Sequence, residues 1–193
     1  MLSSITPLGE RSRRQHFMVT ATFLLAGAAL AGTATGGALG EIGAHLPLGQ
    51  ENRLLVLAAA AAVGFLCDLL LPRGVPTHLR QVDERWLRRY RGWVYGTGYG
   101  VQLGVGWATV VTSSAVYLML FGAALAPTAA AGALVGAVFG VARGASVFLA
   151  RRVDSPDRLR AFHRRLLLLD RAALVTGLAL QGVLASLAVA LSA

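Results

Sequence analysis

Five long apolar runs, parted by short polar segments, dominate the chain: Phe17 to His45, Leu54 to Leu71, Trp93 to Leu125, Thr128 to Ala150, and Leu166 to residue 192. About 20 apolar residues suffice for a helix to cross the hydrocarbon core of a bilayer. The pattern therefore predicts an all-α fold, a single polytopic transmembrane helix bundle of about five spans. The 93–125 run exceeds one crossing, so it is expected to be tilted, or broken into two segments.

Within the runs a second pattern repeats every four residues. Gly32, Gly36 and Gly40 align on one face of the first helix, and Gly96, Gly100 and Gly104 on one face of the third. Positions four apart share a helix face. In lipid, where helices gain nothing by burying apolar surface, such smooth faces allow close backbone approach. Both sets are expected to be packing seams. Beside the second seam, Tyr95, Gln102, Thr109, Ser113 and Tyr117 fall within a sector of about 100°. Val111 and Leu118 are expected on its lipid-facing side. Glu41 near the end of the first span and Gln181 in the last add polar groups. Polar side chains in lipid turn inward, where they either bond neighbouring helices or line a path. Gln102, Thr109, Ser113 and Tyr117, with Glu41 and Gln181, are the candidate pathway.

Composition agrees with the pattern. Apolar residues make up 55% and charged residues 14%, against roughly 25% charged in a soluble domain. The mean hydropathy is +0.62. The net charge of +9 suggests nucleic acid until its distribution is read. Every basic residue is arginine, and 15 of the 18 lie in three clusters at 11–14, 73–91 and 151–165, between the runs. The positive-inside rule accounts for that placement, and nucleic acid is not an expected partner. The N-terminus is expected in the cytoplasm and the C-terminus outside. The lack of lysine points to a high-GC genome, hence a bacterial inner membrane. The first run is too long for the apolar stretch of a cleaved signal and is expected to be retained.

Chemistry-bearing motifs are sparse. Cys67 is the lone cysteine and reads as an apolar filler. No zinc spacing, nucleotide loop or catalytic triad appears, so no metal, cofactor or catalytic residue is expected. Asp68, Arg143 and Asp170 are ionisable groups placed near the cytoplasmic ends of their spans. A pair between Arg143 and either aspartate would lock the bundle. Trp86-Leu87-Arg88-Arg89 returns as Phe162-His163-Arg164-Arg165 76 residues later, an offset that also maps Gly64 onto Gly140 and Thr33 onto Thr109. A repeated helical hairpin followed by one helix would produce this.

The glycine-rich segment Gly104-Val105-Gly106-Trp107-Ala108-Thr109 resembles helices of the cytochrome c biogenesis proteins that carry thiol electrons, and of the LysE-like exporters of small solutes. The thiol carriers place a cysteine beside proline, where this chain has Ala108, Thr109 and Val110. The resemblance thus implies a small transporter-like membrane protein without redox cysteines, and it carries over no catalytic residue. Passage or export of a small solute is the leading expectation. The alternative is an accessory subunit packing against a larger membrane complex. The lipid bilayer is an expected partner in either case, as is homo-oligomerisation or the larger complex.

Overall fold

A computed structural model describes residues 5–71, 85–109, 111 and 113–192. The described residues form eight α-helices: α1 Pro7–Ser12, α2 Phe17–Ala44, α3 Gln50–Leu70, α4 Arg85–Arg89, α5 Gly92–Val105, α6 Ala115–Ala124, α7 Ala129–Ala145 and α8 Pro156–Ser192. A 3-10 turn, Ser146–Ala150, extends α7. Helices α2, α3, α7 with its extension, and α8 are each long and apolar enough to cross a membrane.

Helix ends follow local chemistry. Thr128 caps α7, its hydroxyl accepting from the Ala131 N–H at 3.1 Å, directly after Pro127. Ser155 precedes Pro156 at the start of α8, and its hydroxyl accepts from the Arg158 N–H at 3.4 Å. Serine before proline is a helix-start signal. It starts α8 ten residues upstream of the apolar run, so the helix has 37 residues and a length of about 55 Å.

Helix α2 is the axis. Its Gly32, Gly36 and Gly40 meet Gly132 and Gly136 of α7 backbone to backbone, and Ala28 meets Gly140. The pairing runs backwards along α7, so the two helices are antiparallel. On another side of α2, Gly96, Gly100 and Gly104 of α5 meet Thr20, Leu24 and Ala28 in ascending order. Helix α5 therefore runs parallel to α2. The four-residue ridge of α7, Gly132, Gly136, Gly140 and Gly144, is the counterpart that the sequence reading did not pair with α2.

The 93–125 run is two helices. Gly106 has φ +87° and ψ −65°, with the Trp107 N–H donating to the Val105 carbonyl at 3.2 Å. That is a γ-turn of the rare hand, which glycine adopts without a Cβ penalty. Helix α6 resumes at Ala115 and ends beside Gly43 of α2, where Gly43 faces Ala124 and Ala126. In series, α5 and α6 thus follow α2 from Thr20 to Gly43. Under the 76-residue offset, α2 is continuous through Thr33, whereas Thr109 lies in the break between α5 and α6. Val111 and Leu118, expected to face lipid, are 4% and 9% exposed. The γ-turn rotates the chain beyond it, so helical phase cannot be carried across Gly106.

Beneath this core, α1 folds back. Ile5, Phe17, Leu24, Leu87, Tyr95, Tyr99 and Val147 form an apolar cluster, and the Leu8 N–H donates to the Val153 carbonyl at 3.0 Å. Glu10 is wholly buried there. Its carboxylate accepts from the Tyr95 hydroxyl, from the Thr20 hydroxyl at 2.8 Å and from the Arg13 guanidinium at 2.6 Å. Burial opposes the charge on Arg13, but the hydrogen bond and charge of Glu10, together with Tyr95, outweigh it and hold the Arg13 pKa above its ordinary value. Helices α3 and α8 form an antiparallel pair outside the core, held to it by polar groups at two levels.

Candidate functional site

The break between α5 and α6 leaves two unfinished helix ends facing one another. The carbonyls ending α5 carry partial negative charge, and the N–H groups opening α6 carry partial positive charge. Each end is met by an ion of the opposite sign. From α7, the Arg143 guanidinium donates to the carbonyls of Leu103 at 3.2 Å and Gly106 at 3.3 Å, and to the Thr109 hydroxyl at 3.1 Å. It lies 5.3 Å from the Phe139 ring centroid, within cation–π range.

From α3, the Asp68 carboxylate takes the other end and is 4% exposed. It accepts from the Ser114 N–H at 2.9 Å, the Ser113 hydroxyl at 2.8 Å, the Ser114 hydroxyl at 2.9 Å and the Gln181 amide of α8 at 3.0 Å. Ser114 is the first residue before α6, yet its hydroxyl makes no cap of its own. The carboxylate from α3 does that work. Helices α3, α6 and α8 therefore meet at one carboxylate.

Asp68 and Arg143 flank the break without bonding one another. The break lies level with Ala28 and Gly32 of α2, the neighbours of Gly104. Ala28 is eleven residues into α2, about 16 Å. Asp170 stands apart from both. It is exposed on α8, eleven residues before Gln181 and so about 16 Å along the helix from the carboxylate cluster.

The break gathers three of the six candidate pathway residues. Thr109 and Gln181 are buried, and Ser113 is half-buried. Gln102 and Tyr117 are half-buried on α5 and α6, and Glu41 is exposed at the far end of α2, where its carbonyl lies 2.9 Å from His45 Nδ1.

A second polar level was missed by sequence reading. Arg53, 8% exposed on α3, reaches the ends of α2 and α6. Its Nε donates to the Leu48 carbonyl at 3.0 Å, Nη1 to those of Leu125 at 3.0 Å and Ala126 at 3.2 Å, and Nη2 to those of Gly43 at 2.8 Å and Leu46 at 3.1 Å. A guanidinium has five N–H donors, and all are used. A signal for it existed: Arg53, Arg143 and Arg171 are the three arginines outside the clusters, so the clustering between apolar runs does not account for them. Two of the three hold helix ends.

The chain matches no protein-family model, no curated protein and no solved structure.

Proposed function

We propose that the protein passes a small solute across the membrane, with the α5–α6 break as the central station of the path and five crossings in all, α5 and α6 together making the third. One observation carries this reading: a helix interrupted level with Ala28 and Gly32, midway along α2, and with the last turn of α3, with an acid at one free end and a base at the other. Irregular backbone at such depth is tolerated where protein buries it or a cavity takes it up. Ionisable groups there are costly and mark solute or ion pathways. Interrupted helices are the usual seat of binding sites in small transporters. The pair α3 and α8 is tied to the core at two levels, through Asp68 and Arg53. An accessory role in a larger complex is the second reading. It is favoured by α8, whose apolar side chains Leu167, Leu168, Val175 and Leu191 are 65 to 77% exposed, a surface that partner helices would cover as well as lipid.

Single cysteines in a Cys67→Ala background distinguish the readings. Cysteines at Gln102, Thr109 and Ser113 are expected to react with membrane-impermeant thiol reagents. Those at Val101 and Phe121, 42% and 56% exposed on the outside of the bundle, are expected to be protected, because hydrocarbon suppresses the reactive thiolate. Uniform protection in folded protein would leave the accessory reading in place.

The orientation has its own measurement. Reporter fusions after Arg91 and Arg160 should read as cytoplasmic, and fusions at Gly49 and the C-terminus as external, because the arginine clusters favour one side. A cytoplasmic C-terminus would make the number of crossings even and overturn the third.

A further inference from the structure

We propose that the end of the bundle where α2 and α5 begin binds an anionic phospholipid, its headgroup at Arg14 and Arg91 and its acyl chains along Phe23 and Trp93. The inference takes the bundle as membrane-embedded and is independent of solute passage.

The surface is assembled from segments far apart in the chain. The N–H of Gly92, the first residue of α5, donates to Gln15 Oε1 at 3.0 Å. Arg14 and Arg91 are the chain neighbours of the two bonded residues, and both are exposed. From there α2 and α5 run side by side in the same direction. The Phe23 ring meets the Trp93 ring, with centroids 6.1 Å apart and planes tilted by 53°. That contact leaves the two rings 43% and 50% exposed. Val19, one turn before Phe23, is exposed as well. Phe23 stands six residues into α2, about 9 Å from its start. Two cations are thus followed, within the length of one phospholipid, by an outward apolar and aromatic seam.

Charge names the headgroup. Residues 10–16 and 72–91 hold nine arginines against three acids, Glu10, Asp83 and Glu84. Within these segments six positive charges remain over, whatever the acids bond. Glu10 is spent on Arg13. The parallel α2 and α5 add their positive ends to the same field. A guanidinium fork matches phosphate oxygens, and its apolar stem can lie along a greasy surface while the charge stays at the water boundary.

The rings name the lipid. Tryptophan and tyrosine collect at the level of the headgroups. The same pairing continues on the flank, where exposed Trp86 and Tyr90 of the α4 end pack edge to face and the Arg89 guanidinium lies 5.9 Å from the Tyr90 centroid. A free anion would leave Val19, Phe23 and Trp93 uncovered, and so would an acidic soluble protein. A phospholipid covers the cations and the seam together.

Tryptophan fluorescence in vesicles tests this. Trp86→Phe with Trp107→Phe leaves Trp93 as the reporter, in phosphatidylcholine doped with chain-brominated phosphatidylglycerol or chain-brominated phosphatidylcholine. The brominated phosphatidylglycerol should quench Trp93 with an apparent affinity at least about fivefold higher, the worth of one arginine beside an anionic surface. Arg14→Gln with Arg91→Gln should make the two lipids equal, while quenching by the brominated phosphatidylcholine stays as it was and reports an intact fold. Arg164→Gln with Arg165→Gln, which removes the same charge from an exposed part of α8, should leave the preference unchanged. Trp107 as sole reporter should be quenched equally by both lipids, and millimolar inorganic phosphate should not compete at Trp93. Equal quenching of Trp93 by the two lipids overturns the proposal. So does the same preference at Trp107 or an equal loss in both arginine pairs, either of which would show attraction by charge at large. Competition by phosphate would make the occupant a free anion, and a Trp93 reached by neither lipid would show protein covering the seam; each overturns the lipid.

Discussion

Gly136→Ala should cost the bundle about 3 kcal/mol or more, the upper range for overpacking, and Gly36→Ala nearly as much. A Cβ at Gly136 would lie 2.0 Å from the Gly32 carbonyl oxygen, and one at Gly36 2.2 Å from that of Gly132. Both obstacles are backbone, so no rotamer change relieves them; α2 and α7 would have to separate along their whole seam. Gly177→Ala and Gly182→Ala in α8 are the controls, since a Cβ at either has nothing within 4 Å. There the methyl only removes the entropy cost of a helical glycine, worth roughly 0.5–1 kcal/mol, so stability should hold or rise. Denaturant titration in mixed micelles reads all four. Equal behaviour of Gly136→Ala and Gly177→Ala would show that the α2–α7 seam does not hold the bundle.

The second large effect belongs to Arg53. Replacing it with methionine keeps much of the stem and strips hydrogen bonds from five carbonyls at once. Uncompensated buried acceptors cost about 1–3 kcal/mol each. Some of these carbonyls would find water, so a loss of about 3–5 kcal/mol is expected rather than the full sum. Arg53→Lys should recover little, because an ammonium is a point donor and cannot span five carbonyls from two chain segments as one planar fork does. The check is a double comparison of Arg53→Met and Arg53→Lys by the same titration, with Arg171→Met as the arginine on an exposed face of α8. If lysine restored stability fully, the charge alone would matter and the fork geometry would not.

Much of the bundle was legible before any coordinates. Run length sets where helices lie, because a helix in lipid must satisfy its own backbone and needs a stated number of apolar residues to cross. The glycine ridges were legible for a related reason: a small residue every fourth position has one clear use in lipid. Even so, the partner of each ridge was not. Helix α2 meets α7 along Gly32, Gly36 and Gly40 and meets α5 along Leu24 and Ala28, and a ridge carries no label for its mate.

The site was less legible. Thr109, Ser113, Gln181, Asp68 and Arg143 were all singled out by polarity in an apolar context, a signal that depends on no neighbour. Their roles depend on neighbours entirely. One turn at Gly106, with φ +87°, ends α5, shifts the helical phase beyond it and creates two charged helix ends. Asp68 and Arg143 then serve those ends in place of each other. Glu10 shows the same limit, as a carboxylate among the N-terminal arginines that the fold buries against Tyr95 and Thr20. The sequence by itself determined which segments are apolar helices and which residues are out of place in them, because transfer from water to lipid is a property of each side chain alone. Only the tertiary structure decided who bonds whom, because a buried charge takes whichever partner the packing of other helices brings within about 3 Å.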